Sequence, residues 1–125
     1  MPKLEHLMLF VNPIGVQGAA ALAAPLRKLP ALKMLCLRRC NIGDEGVTSL
    51  VAGIGKDDFK ALLGLQLDRN ALTKKSCATI ATAIESGAMP ELLLAFATND
   101  GSQQVVDDAV QRFRFEPRVE AMLRA

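Results

Sequence analysis

The sequence predicts an α/β repeat fold, in which strand–turn–helix units stack into a solenoid with their strands in one parallel sheet, and three observations predict it. A leucine pattern recurs at a nearly fixed interval, the hydrophobic period changes from two to about four within each interval, and proline opens three of the intervals. Leu4, Leu7, Leu9 and Asn12 return as Leu32, Leu35, Leu37 and Cys40, and again as Leu62, Leu65, Leu67 and Asn70. A decayed fourth copy begins at Leu92, with Ala95, Ala97 and Asp100 in the same columns, so successive starts are 28, 30 and 30 residues apart. Residues 1–100 are thus read as three units plus a degenerate fourth, and residues 101–125 as a C-terminal capping helix or tail.

Each element follows from its local pattern. In the first half of a unit Leu7 and Leu9 point to one side and His6, Met8 and Phe10 to the other, as a strand requires, which predicts strands at His6–Phe10, Met34–Arg38 and Gly64–Asp68. In the second half Leu22 and Leu26, Leu50 and Ile54, and Ile80 and Ile84 are four apart and mark one stripe of a helix. Pro2, Pro30 and Pro90 stand two residues before the first leucine of their units, with Lys60 in that place in the third, and proline there ends one helix and launches the next extended segment. Gly18, Gly46 and Ser76 share a column in the first helical turn, where close approach of helix to strand leaves little room. Asn12 and Asn70 follow their strands, where an amide can satisfy turn backbone groups that no ladder reaches. Asp44 and Glu45 suit the positive end of the second helix dipole. Pro25 lies inside the first helical pattern, which predicts that this helix kinks or finishes early.

Leu4 to Asn12 with Ile14, Gly15 and Gly18, and Leu32 to Cys40 with Ile42, Gly43, Asp44, Glu45 and Gly46, resemble leucine-rich repeats of the ribonuclease-inhibitor type. The alternation of Asn12, Cys40 and Asn70 in one column is similar to that subfamily. The resemblance implies a short right-handed horseshoe segment with strands on a concave face, helices on a convex face, and non-enzymatic protein binding as the activity. It also implies an alternative, a regulatory or GTPase-activating role as in the Ran GTPase-activating branch, for which this chain offers no motif to carry over.

Composition limits the function classes. Half the residues are hydrophobic and 22% charged, as in folded globular chains, and the formal net charge of +2 gives no electrostatic case for nucleic acid or an anionic membrane. No apolar run is long enough to span a bilayer and no signal-peptide pattern opens the chain, so the expectation is a cytoplasmic protein. An odd count of 3 cysteines then reads as reduced thiols rather than disulfides.

The repeat register aligns the outward strand positions in columns: His6, Met34, Gly64 and Leu94; Met8, Cys36, Gln66 and Phe96; Phe10, Arg38, Asp68 and Thr98. This surface is rich in large apolar side chains, the pattern of a protein contact, against the plainer reading that the tail or a neighbour covers it for stability. Met8, Phe10, Met34 and Phe96 are the expected anchors, and Arg38 and Arg39 the expected basic rim facing an acidic partner, although Asp68 beside Arg38 also allows an ordinary cross-strand pair. The partner's identity does not follow. The N-terminal sheet edge from Lys3 to Phe10 has no cap in the pattern, which implies either a longer repeat array or self-association through that edge.

Catalytic and metal readings are poorly supported. His6 and Cys36 are diagonal neighbours, but no orienting group or oxyanion donor accompanies them. Cys36, Cys40 and Cys77 match no zinc spacing, and no cofactor motif is present; Gly53 to Lys56 lacks the full phosphate-loop pattern and reads as a helix end. In the tail Val105, Val106, Ala109, Val110 and Phe113 form a stripe that predicts a helix at about Gln103 to Arg114, broken by Pro117 and followed by a short turn.

Overall fold

A computed structural model describes residues 3–98 and 102–124. The columns at Pro2 and Asp100 lie outside the described residues. Four short strands, β1 (His6–Met8), β2 (Met34–Cys36), β3 (Gly64–Gln66) and β4 (Leu94–Phe96), pair in parallel in the order β1-β2-β3-β4. The register is the one the columns predict: His6, Met34, Gly64 and Leu94 align, and so do Met8, Cys36, Gln66 and Phe96. Three residues per strand is shorter than the expected five. Main-chain bonds nevertheless continue beyond each strand, from the Leu9, Leu37 and Leu67 N–H groups to the carbonyls of Cys36, Gln66 and Phe96 in the next unit.

Helices alternate with the strands: α1 (Gly15–Arg27), α2 (Gly43–Val51), α3 (Lys74–Glu85) and α4 (Gln103–Val110). They pack side by side in chain order and enclose one core with the inward leucines. Leu32, Leu35, Leu37, Ile42, Leu50, Leu62, Leu67, Ile80, Ile84 and Leu92 are fully buried in it, whereas Leu4, Leu7 and Leu9 of the first unit are only partly covered. An interior unit has a neighbour on each side, and the first described unit has one.

Turn chemistry sets each helix start. Gly15 and Gly43 adopt φ of 73° and 63°, a left-handed conformation that glycine enters without a side-chain penalty. Thr73 holds that column in the third unit with extended backbone, and its hydroxyl accepts the Lys75 N–H as an N-cap. Asn70 is the chief inter-unit tie. Its Oδ1 accepts the N–H groups of Cys40 and Ile42 from the preceding unit, and its Nδ2 donates to the carbonyls of Leu37 and Leu67 at 2.7 and 2.8 Å.

Three expectations change. The first helix does not stop at Pro25 but runs on to Arg27; the proline sits in its last turn, where its missing N–H leaves only the exposed Ala21 carbonyl without a helical donor. The crowding at Gly46 comes from Ile42, 2.6 Å from where a Cβ would stand, and from Ala19 of α1 at 3.3 Å, so it records contact with the preceding turn and the neighbouring helix rather than with the strand. The tail helix does not break at Pro117: a π-helical turn, Gln111–Phe115, leads directly into α5 (Glu116–Arg124). Pro117 is the second residue of α5, a position where the wider turn relieves the clash that proline makes in a regular helix.

Candidate protein-binding face

The sheet face away from the helical core carries the predicted site residues, and the structure distributes them unequally. Met8 and Phe10 are each 52% exposed, a large apolar area for two side chains of one edge strand and its exit. Met34 is half-buried, and its Sδ and Cε lie over Gly64, so close that a Cβ there would stand 2.6 Å away. The glycine in the third unit is therefore the seat of the second unit's methionine. Phe96 is half-buried, Leu94 is exposed, and Cys36 is buried at 3%. Met8 and Phe10 are thus available to a partner, Met34 and Phe96 in part, and Cys36 lies beneath the surface.

The basic rim divides in two. Arg38 pairs with the buried carboxylate of Asp68 at 3.0 Å, which commits its charge within the molecule. Arg39 and Arg69, one residue further along their units, are exposed and have φ of 55° and 61°. The left-handed backbone turns both side chains out of the strand alternation, so they flank the face rather than belong to it. Val11 holds the same column with φ of 61°. Lys33 and Glu5 form a further cross-unit pair at 2.9 Å at the opposite end of the strands; the Lys33 ammonium holds the Glu5 carboxyl below its usual range. Arg27 and Lys28 lie away from this surface: Arg27 donates to the carbonyls of Ser49 and Leu50 at the end of α2, and Lys28 pairs with Asp58 at 2.6 Å.

Nucleophilic chemistry needs a reachable thiol, and all three cysteines are buried. Cys40 donates its thiol to the Leu9 carbonyl at 2.9 Å, and burial pushes its pKa up, away from the reactive thiolate. Among the described residues, no group of three His, Cys, Asp or Glu is placed to hold a metal ion, and no helix is long and apolar enough to cross a membrane. A surface groove of about 430 Å3 lies on the helical side, between α2 and α3, lined by Thr48, Val51, Ile54 and Thr82 among others.

Sequence reasoning misses Arg114, a buried cation that pairs with no carboxylate among the described residues. Its guanidinium donates to the carbonyls of Ile84, Ala88 and Met89, capping the end of α3 and fastening the tail to the array. Arg27 makes similar Arg-to-carbonyl bonds to the end of α2.

Comparison with known proteins agrees with this geometry. Residues 1–23 and 30–51 match the leucine-rich repeat family model, which covers the first two units. No curated protein matches the chain. The two matched stretches are similar to leucine-rich repeats, and the in-register parallel sheet with its strand–helix alternation fits an α/β repeat fold.

Proposed function

We propose that the protein is a non-enzymatic interaction module that binds a protein partner on the sheet face, within a right-handed, ribonuclease-inhibitor-type solenoid whose curvature makes that face concave. The observation that carries this reading is the pair Met8 and Phe10, half-exposed on a rigid backbone that a parallel ladder holds in place. Met34 and Phe96 extend the apolar surface, and Arg38 and Arg39 orient a partner with an acidic rim. Arg39 does more of this than Arg38, whose charge already faces Asp68. Neither nucleic acid nor membrane is the partner in this reading, and no cofactor is needed. The cytoplasm is its site of action, consistent with the odd number of cysteines. The half-covered leucines of the first unit make the β1 edge a second, weaker contact, available for self-association. A GTPase-activating role gains no support from a particular side chain.

The test is an affinity measurement on a partner recovered by capture and then purified. Each buried Met or Phe is worth about 1.5–3 kcal/mol by area, or roughly ten- to a hundredfold in Kd. Met8→Ala with Phe10→Ala should weaken binding at least tenfold, and Lys74→Glu on α3 should leave it unchanged. Unaltered affinity in the double variant, with its fold intact by circular dichroism, overturns the reading.

A further inference from the structure

Beyond the interaction face, the C-terminal helix carries a pattern that its present conformation does not use. Pro117, Val119, Met122 and Arg124 repeat the spacing of Pro30, Leu32, Leu35 and Leu37 and of Pro90, Leu92, Ala95 and Ala97, and Pro117 follows Pro90 by 27 residues. Val119 falls in the column of Leu4, Leu32, Leu62 and Leu92, and Met122 in that of Leu7, Leu35, Leu65 and Ala95. Every one of those predecessors is buried or partly buried, yet no residue of α5 is buried, and Met122 and Leu123 are 76% and 82% exposed. A helix that leaves three large apolar side chains to water is poorly matched to its sequence.

A second observation is independent of the leucine columns. Ion pairs between adjacent units join residues of the same column: Glu5 with Lys33, and Arg38 with Asp68. Arg118 and Glu91 are both the first residue after their proline, and they pair at 3.0 Å, while Arg118 also donates to the Pro90 carbonyl. The start of this segment therefore already sits beside the start of the fourth unit, in repeat register.

A third concerns the outer edge of β4. The Leu9, Leu37 and Leu67 N–H groups each donate to the following strand, but the Ala97 N–H in that column donates to Oε1 of Gln103 at 2.8 Å. Gln103 Nε2 in turn donates to the Ala95 carbonyl at 2.7 Å. The buried Gln103 carboxamide thus stands where the peptide group of a fifth strand would be, one donor and one acceptor for the same two edge groups. Beside it a groove of about 180 Å3, lined by Leu93, Leu94, Ala95, Val110 and Phe115, runs along the edge.

We propose that Pro117–Arg124 is the entry of a fifth repeat unit, and that it docks on the outer edge of β4 as a fifth parallel strand, displacing the Gln103 carboxamide, so that α5 and this strand are two states of one segment. The register places Ala121 opposite Leu94, Met122 opposite Ala95 and Leu123 opposite Phe96. Met122 and Val119 then close the end of the core, and Leu123 joins the sheet face. Arg124 departs from the leucine column.

Disulfide trapping tests this at low protein concentration. Leu94→Cys with Ala121→Cys places two thiols opposite each other in the strand state, whereas Leu94→Cys with Glu120→Cys places them on opposite faces. The first pair should close within one chain at least tenfold faster than the second, and adding Gln103→Ala should speed it further. Equal rates for the two pairs, or a bond that forms only between chains as concentration rises, overturns the proposal. Should the variants lose their fold by circular dichroism, relaxation dispersion on the unaltered chain decides. A minor state with extended-type Cα shifts at residues 119–124 supports it; helical shifts without exchange contradict it.

Discussion

Asn70 joins two units directly, because a buried amide has four hydrogen-bonding positions and here serves backbone groups on both sides of a unit boundary. Asn12 occupies the same column in the first unit, is exposed, and its side-chain amide bonds the carbonyls of Leu9 and Phe10 in its own turn. The two residues separate the cost of the ladder from the cost of the turn. Each buried group left without a partner costs about 1–3 kcal/mol, so Asn70→Ala should lose about 3 kcal/mol or more in urea unfolding. Asn12→Ala should lose less than about 1 kcal/mol, since water replaces its bonds. Similar losses at the two sites would mean that the amide acts only within its own turn. Cys40 stands between them as the alternative solution, a thiol that donates to the Leu9 carbonyl of the preceding unit and accepts from the Asn12 backbone N–H.

At the scale of elements, the helices are tied by their ends. Asp44, in the first turn of α2, accepts the Thr73 N–H, the Thr73 hydroxyl and the Ser76 hydroxyl, so one carboxylate serves the starts of two helices. Burial alone would raise its pKa, but the bonds from Ser76 and Thr73 outweigh it and hold the carboxyl below its ordinary value of 3.8. A depressed folded-state pKa contributes stability that is complete above the unfolded value and disappears as pH falls through the folded one. The stability difference between the natural chain and Asp44→Asn, from urea midpoints, should therefore be largest near neutral pH and shrink steadily below about pH 4. A difference that stays constant to low pH would assign the effect to packing.

The same elements show what a sequence makes legible. The strand columns and the helical stripes are readable because periods of two and four are local consequences of backbone geometry, and the register follows once the repeats are aligned. Met34 could be placed on the outer face, but not its seat on Gly64, which depends on a side chain in another unit. Leu29, Phe59 and Met89, each just before the position of Pro30, Lys60 and Pro90, form a further inward column, with Phe59 and Met89 fully buried. Irregular turn backbone, with φ of 49° at Phe59 and 52° at Met89, obeys neither period and hides it. Arg114 was beyond reach for a different reason: its partners are carbonyls, which have no sequence signature.

Across the whole molecule the array has a gradient of completeness. Interior units bury their leucines fully, the first buries them in part, and the fourth replaces its neighbour with a glutamine side chain and a helical tail. The sheet face proposed for binding crosses all four strands, and its most exposed large groups sit at the two ends, Met8 and Phe10 on one side and Leu94 on the other. A partner long enough to span the sheet would touch both.

Hydroxyl-radical and lysine-acylation footprinting of the complex tests the central claim, that a protein binds this face, most directly. Binding on the sheet predicts strong protection of Met8 and Phe10, with labelling of Lys74 and Lys75 on α3 unchanged. Protection of Lys74 and Lys75 with Met8 and Phe10 labelled as in the free chain would contradict it and place the partner on the helices.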